Sequence, residues 1–180
     1  MMNKKERKGK LLWLDLEMTG LELGKDKIVE VAAIVTDWKL KELASYVAVV
    51  KRSEKFMKKR MRGEFWEKNP EAKASLIGQN DSGKKSKKIE KELIKFIKDN
   101  FDGDIYLAGN SIHNDRNFIR LEWKRLDKML HYRMLDVSAW KIYFENALKK
   151  KFIKAEEHRA LDDIRGSIEE LKYYIGMISK

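Results

Sequence analysis

Cysteine, proline and long apolar runs are absent or nearly absent from this chain of 180 residues. The absence of cysteine excludes disulfide bonds, thiolate nucleophiles and cysteine-based zinc sites, and it agrees with a reducing compartment. The single proline, Pro70, leaves no proline-rich linker. No apolar run reaches the roughly 20 residues that span a bilayer, and none of signal-peptide length follows the basic start MMNKKERKGK. We therefore expect a soluble, cytoplasmic protein without a membrane partner.

Negative charge is also in the minority, because 40 Lys and Arg stand against 29 Asp and Glu, which gives a net charge of +11. A surplus of this size favours a polyanionic partner, and nucleic acid is the first candidate. The alternative is that the lysines reflect a lysine-rich proteome. An apolar fraction of 43% is sufficient for a packed core, which argues against disorder.

The hydrophobic pattern predicts one domain over residues 11–180 behind a basic tail over residues 1–10. Apolar runs predict strands at 11–18, 27–37, 42–50, 104–110 and 132–138, and apolar residues at helical spacing predict helices at 87–101, 114–130, 136–150 and 161–178. Residues 78–88 are expected to form a loop. The short connections between the first three strands predict an antiparallel meander. The alternating helices and strands that follow them predict an α/β sheet covered by helices.

Two carboxylates, Asp15 and Glu17, interrupt the otherwise apolar strand in WLDLEMTG. Residues two apart on a strand point to the same face, so both acids are directed at one place. A solvated strand edge is the alternative. The apolar residues at the alternate positions make exposure the weaker interpretation.

Three more residues can join these acids. Asp115 follows the short strand YLAGN at the start of a helix, and HRALDD places His158 five residues before Asp163. Singly, each has an ordinary interpretation: a first-turn acid favoured by the helix dipole, a surface acid or a loop histidine. Together they are the parts of a two-metal phosphodiester hydrolase, in which carboxylates bind Mg²⁺ or Mn²⁺ and a histidine takes a proton from water.

Long segments of the chain resemble the motifs of the DEDDh group of 3'-to-5' exonucleases, and more narrowly those of the oligoribonuclease family. The matching segments are WLDLEMTGLELGKDKIVEVAAIVTD, LAGNSIHNDRNFI, HYRMLDVS and HRALDDIRGSIEELKYY. The resemblance implies an RNase H-like fold, with a central mixed five-stranded sheet flanked by helices. It also implies a homodimer that shortens small RNAs from the 3' end, down to dinucleotides, and releases nucleoside 5'-monophosphates.

The resemblance also implies a role for each matching residue. It makes Asp15, Glu17, Asp115 and Asp163 the metal ligands and His158 the general base. The family's histidine lies five residues before its last ligand, which selects Asp163 and leaves Asp162 as a helix-start residue.

The implied substrate contacts cover both ends of a dinucleotide. Leu21 would wedge between the bases and Trp66 would stack on one of them, since every base offers a π-face. The groups that would close over the 5' phosphate are Ser111, Arg133 and Ser138, with Tyr132 supplied by the second subunit.

Two other functions stay open at this point. A broader DEDDh exonuclease would act on longer RNA or single-stranded DNA, and the basic segment KFMKKRMRG would favour long RNA through phosphate contacts. A non-catalytic RNA-binding module is the second alternative. It is disfavoured, because binding alone does not require four mutually repelling acids and a histidine.

Overall fold

The computed structural model describes residues 9–153 and 159–178. Its sheet has five strands: β1 (Leu11–Met18), β2 (Ile28–Thr36), β3 (Glu42–Val49), β4 (Tyr106–Gly109) and β5 (Met134–Asp136). Their order across the sheet is β3-β2-β1-β4-β5. The first three strands are antiparallel to one another, as predicted, and β4 and β5 continue from β1 in parallel. The prediction of a mixed five-stranded sheet is confirmed.

Eight helices lie in the part of the chain that the structure describes. They are α1 (Glu54–Arg60), α2 (Glu64–Lys68), α3 (Pro70–Gly78), α4 (Ser86–Asn100), α5 (His113–Glu122), α6 (Lys124–Asp127), α7 (Val137–Asn146) and α8 (Ala160–Ile178). The helix predicted over 114–130 is divided at Trp123, whose backbone leaves the helical conformation. The helix predicted over 136–150 ends at Asn146. The loop predicted over 78–88 is a short 3-10 turn, Gln79–Ser82, followed by the start of α4.

The alternation of residues along β1 decides which helices cover each face of the sheet. Leu12, Leu14 and Leu16 pack with apolar residues of α4 and α5. Leu11 and Trp13 pack on the opposite face with apolar residues of α7 and α8. Because side chains two apart share a face, Asp15 and Glu17 extend the second row, on the side covered by α8.

The segment between β3 and α4 forms three short helices that the hydrophobic pattern does not predict. They pack through a small apolar cluster of their own, made by Val29, Met57, Met61, Trp66 and Leu76. Helices α1 and α2 span two turns or fewer each, so their few apolar residues show no detectable helical period.

The start of the described chain is bonded to the fold. The N–H of Gly9 donates to the carbonyl of Asn100, and the N–H of Lys10 donates to the carbonyl of Thr36, both at 2.8 Å. The division into a tail over residues 1–10 and a domain over residues 11–180 stays a prediction. Among the described residues, no helix combines the length and the apolar character needed to cross a membrane.

Candidate active site

Three of the predicted acids converge at one end of the sheet. Asp15 and Glu17 of β1 and Asp163 of α8 each offer a carboxylate oxygen, and these oxygens lie within 4.8 Å of one another. That spacing is suitable for one divalent cation. Hard cations such as Mg²⁺ and Mn²⁺ bind carboxylate oxygens, so the chemistry of the three donors fits this type of ion.

Helix α8 brings Asp163 to the strand acids through its apolar stripe. Ile164, Ile168 and Leu171 pack against the Trp13 face of the sheet, which directs the preceding turn of the helix toward the end of β1. Asp162 lies one residue earlier and is half exposed, with Arg165 at 3.7 Å. The structure therefore separates the two adjacent acids: Asp163 lies in the cluster and Asp162 lies at the surface.

The fourth acid, Asp115, lies beside this cluster in the first turn of α5 and is only 5% exposed. Its Oδ1 accepts a hydrogen bond of 3.0 Å from the N–H of Leu16, the residue between Asp15 and Glu17. Strand β4 is paired with β1 only from Leu11 to Trp13. Asp115 thus satisfies a backbone donor beyond the end of β4 that would otherwise be buried without a partner.

Proximity and burial change the acidity of this site. Burial, together with the carboxylates of Glu30, Asp163 and Asp115, raises the pKa of Glu17 to about 8, although Arg159 acts in the opposite direction. Burial raises the pKa of Asp115 to about 7, against the effect of its backbone hydrogen bonds. Without a cation, part of this site is therefore protonated near neutral pH. A cation would replace those protons.

The predicted general base, His158, lies outside the described residues.

A cavity of about 500 Å³ opens next to Glu17. Its lining residues are Leu16, Glu17, Met18, Thr19, Gly20, Leu21, Glu22, Asp26, Arg60, Arg62, Phe65 and Trp66. The volume lies within the ordinary range for small-molecule sites. The acid cluster and the cavity are thus one continuous site, because Glu17 belongs to both.

A partly buried ion pair shapes the loop that borders the cavity. Asp26 accepts hydrogen bonds from Nε and Nη2 of Arg60, at 2.9 and 3.0 Å, and from the hydroxyl of Thr19 at 2.8 Å. Gly20 has no room for a side chain, since a Cβ there would lie 2.7 Å from Oδ2 of Asp26. Leu21 is 70% exposed at the cavity edge.

The resemblance implies a stacking role for Trp66 alone, but the neighbouring ring of Phe65 is the more exposed of the two. Trp66 is 5% exposed, and its indole N–H donates to the carbonyl of Thr19 at 3.0 Å. Phe65 is 54% exposed and meets Trp66 edge to face, with ring centroids 4.9 Å apart. Both rings line the cavity, but Phe65 presents the accessible ring and Trp66 supports it. The sequence contains a signal for Phe65, because it stands directly beside Trp66 and offers a second aromatic ring at the same place.

The predicted phosphate-binding residues are only partly assembled in this chain. The hydroxyls of Ser111 and Ser138 lie 3.1 Å apart, and the N–H of Ser111 donates to Oγ of Ser138 at 2.8 Å. Ser111 has a φ of +47°, in the left-handed region. Arg133 lies over the ring of Tyr132, 5.3 Å from its centroid, and Tyr132 is 71% exposed.

Comparison with known proteins shows similarity to exonucleases along nearly the whole chain. The sequence model of the exonuclease family named RNase_T matches residues 12–171. The oligoribonuclease of Rhodococcus jostii is 38% identical over 178 residues, covering 92% of this chain and 85% of that protein. The oligoribonuclease of Wigglesworthia glossinidia brevipalpis is 39% identical, covering 96% and 92%. The chain belongs to the oligoribonuclease family of exonucleases. The predicted family and the predicted enzyme class, a 3'-to-5' exoribonuclease, are confirmed.

Solved structures support the fold of this exonuclease. Exonuclease I of E. coli, in a complex with single-stranded DNA, superposes with a TM-score of 0.60 at 13% identity, covering 92% of this chain. Exonuclease I of Methylocaldum szegediense gives a TM-score of 0.60 at 16% identity, covering 88%. This chain spans about two fifths of the length of those two proteins. The predicted RNase H-like fold is confirmed.

Sequence reasoning missed four residues of this exonuclease near its acids. Asp26 and Arg60 form the ion pair under the cavity loop, and Glu30 and Arg159 lie close enough to affect the pKa of Glu17. Glu30 had a visible signal, because it is the one acid in the apolar strand IVEVAAIVT.

Proposed function

We propose that this exonuclease hydrolyses short oligoribonucleotides, dinucleotides included, and releases nucleoside 5'-monophosphates from the 3' end. The observation that carries the proposal is the convergence of Asp15, Glu17 and Asp163 at the mouth of the cavity that Leu21 borders. A scissile phosphate held at the acids leaves the terminal nucleoside facing the cavity. Water attacks phosphorus, the bond to the 3' oxygen of the preceding nucleotide breaks, and that oxygen takes a proton.

The acids would hold two divalent cations, Mg²⁺ or Mn²⁺. Asp15, Glu17 and Asp163 would hold one, and Asp115, buried beside them, would contribute to the other. When bound, such ions neutralise charge on the phosphate and lower the pKa of water. The raised pKa values of Glu17 and Asp115 support this role, because burial disfavours their charged forms and a bound cation would offset that cost.

His158 would take the proton from the attacking water. Its place in the sequence, one residue before Arg159 and five before Asp163, supports this assignment. An imidazole has a pKa near neutrality, which suits a general base at the pH of the cytoplasm.

The substrate contacts would lie on two sides of the acid cluster, one for the bases and one for the 5' phosphate. Leu21 would separate the two bases, and Phe65, backed by Trp66, would stack on one of them. Ser111 and Ser138 would bind the 5' phosphate with Arg133, whose guanidinium suits phosphate oxygens. Closure over this phosphate would limit the length of the substrate.

A homodimer would complete the site. Tyr132 is exposed in the single chain, which leaves it available to a second subunit. An exposed apolar surface lies where α7 meets the end of α8, and Tyr143, Leu148 and Ile178 line it. Such surfaces mark protein interfaces. The same proposal places this enzyme in the cytoplasm and treats residues 11–180 as a single domain.

A second candidate is a broader exonuclease for longer RNA or single-stranded DNA. It is favoured by a mainly basic surface on and after α1, where a second hollow is lined by one acid, Glu54, and by Lys55, Lys58, Lys59 and Arg62. Arg62 also lines the cavity at Glu17, so the basic surface continues from the site. Phosphates of a longer strand are a suitable partner for it.

Digestion of labelled RNAs of two, five and about twenty nucleotides tests the proposal. Each is incubated with Mg²⁺, with Mn²⁺ and with EDTA, and the products are resolved by length. We expect the dinucleotide to be cleaved fastest and EDTA to stop cleavage. Preference for the longest RNA would favour the second candidate, and failure to cleave with either metal would overturn the proposed function.

A further inference from the structure

Glu30 is a buried acid in a place that normally disfavours one. It lies on β2 directly opposite Glu17 in the antiparallel pairing with β1, and it is 1% exposed. Residues directly opposite point to the same face, and like charges in such a pair destabilise a sheet. A buried carboxylate also requires hydrogen-bond partners to offset the loss of water. The position of Glu30 therefore requires a compensating arrangement.

Two side chains from distant parts of the sequence supply it. Oε2 of Glu30 accepts a hydrogen bond from Nε2 of Gln79 and a longer one, 3.5 Å, from Nη2 of Arg159. Oε1 of Gln79 accepts from the same guanidinium nitrogen at 3.3 Å. Gln79 therefore bridges the other two residues. The three side chains connect β2, the turn after α3 and the residue before α8.

Arg159 also starts the helix that carries Asp163. Its backbone carbonyl accepts hydrogen bonds from the N–H groups of Asp162 and Asp163, both at 3.0 Å. The side chain of Arg159 is thus fixed to the strand opposite Glu17, while its backbone begins the turn that contains Asp163.

We propose that Glu30 and Gln79 are positioning residues which anchor Arg159, and that this anchor sets the position of Asp163 relative to Asp15 and Glu17. The inference rests on the metal-binding role in the proposed function. An anchor of this kind matters because a cation requires its ligands at defined distances. Removal of residues that orient ligands typically costs about 10–100-fold in metal affinity or activity.

The positive charge of Arg159 makes the two explanations predict opposite changes in Mn²⁺ affinity. The guanidinium of Arg159 is close enough to lower the pKa of Glu17, and it would repel a cation bound there, so charge alone predicts that Arg159→Met binds Mn²⁺ more tightly. The anchor predicts the opposite, because the start of α8 loses its attachment to β2. Gln79→Leu removes the bridge without changing charge at all.

The measurement is Mn²⁺ affinity of the full chain without RNA, from the electron paramagnetic resonance signal of free Mn²⁺. We expect Arg159→Met and Gln79→Leu each to weaken binding by about 10–100-fold, and Arg159→Lys to restore part of the loss. The double variant Gln79→Leu/Arg159→Met should bind no more weakly than Arg159→Met alone, since both changes break one anchor. Thermal unfolding of each variant identifies those that remain folded.

Arg165→Met is the matched control. Arg165 lies on the same helix and is half exposed, with Glu42 at 3.6 Å and Asp162 at 3.7 Å, so its removal should leave Mn²⁺ affinity unchanged. Equal or tighter binding by folded Arg159→Met, together with wild-type affinity in Gln79→Leu, would overturn the anchor. Complete loss of binding in Glu30→Gln, with normal binding in both other variants, would instead make Glu30 a direct ligand. Wild-type protein that binds Mn²⁺ but does not cleave RNA would overturn the proposed function and leave the anchor standing.

Discussion

Asp162 and Asp163 are adjacent on α8, yet Asp163 shares a cluster with Asp15 and Glu17 while Asp162 is half exposed and faces Arg165. This pair provides a control of equal chemistry for the metal site. Asp163→Asn keeps the shape of the side chain but removes its charge, so we expect kcat to fall by more than about 100-fold. Asp162→Asn should stay within about 2-fold of the wild-type kcat, because a surface ion pair contributes little. Steady-state cleavage of a dinucleotide with Mg²⁺ measures both, and similar losses in the two variants would contradict the assignment.

His158→Ala should lower kcat by about 10²–10⁴-fold, the usual effect of removing a general base. Mn²⁺ affinity should stay close to that of the wild type, because the acids are intact. Activity should recover in part at higher pH, where hydroxide replaces the missing base. A variant that retains most of its kcat at neutral pH would assign the proton transfer to another group.

The metal-free protein should lose stability as the pH rises from about 5 to about 8. The folded-state pKa values of Glu17 and Asp115 lie near 8 and 7, well above those of ordinary carboxyl groups. Over this range the folded chain keeps protons that the unfolded chain has released, so raising the pH favours unfolding. Thermal unfolding in EDTA measures the slope. Mg²⁺ and Glu17→Gln should each flatten it, and a rise in stability across this range in EDTA would contradict the assignment.

Phe65→Ala and Trp66→Ala should have different effects, although the two residues are neighbours. Phe65 is exposed at the cavity, so its loss should raise KM for a dinucleotide by about 5–100-fold, consistent with one stacked base. Stability should change little. Trp66 is buried, and its replacement by alanine should lower the free energy of unfolding by about 3–5 kcal/mol. Chemical denaturation and steady-state kinetics separate the two, and an unchanged KM in Phe65→Ala would exclude stacking on its ring.

Tyr132→Ala should lose activity without losing dimerisation if the residue acts on the second subunit. Mixing it with inactive Asp15→Ala should then restore activity, because one site of each mixed dimer has an intact Asp15 and a partner that supplies Tyr132. Size-exclusion chromatography before and after mixing follows the dimer. Mixtures that stay inactive would show that Tyr132 acts within its own chain.

Most strands and the long helices of this exonuclease could be predicted, because a strand buried on both faces is apolar throughout and a helix buried on one face has apolar residues at helical spacing. All nine residues of β2 are buried, and α4 alternates lysines with Ile89, Leu93 and Ile97. The three helices between β3 and α4 could not be predicted in this way. They pack on a five-residue cluster whose members come from four separate segments, so no local period marks them.

The proximity of Asp15 and Glu17 could be predicted from strand alternation, whereas the choice of Asp163 over Asp162 came from the spacing implied by the family resemblance. Asp15 and Glu17 share a face by the geometry of β1 alone. The support around them could not be placed, because it depends on register and on contacts over long sequence distances. Glu30 faces Glu17 only through the pairing of β1 with β2, and it meets Arg159 across 129 positions of sequence.

Leu21 lies on a loop that the Asp26–Arg60 ion pair holds in place. Because that loop is fixed, the side chain of Leu21 is held in water, 70% exposed, at the edge of the cavity. If Leu21 separates the bases as proposed, the hydrophobic free energy of this leucine is released on substrate binding rather than on folding. A loop that is already ordered also loses little conformational entropy when it binds. Loosening the ion pair should thus weaken the binding of bases even though neither of its residues stacks on one.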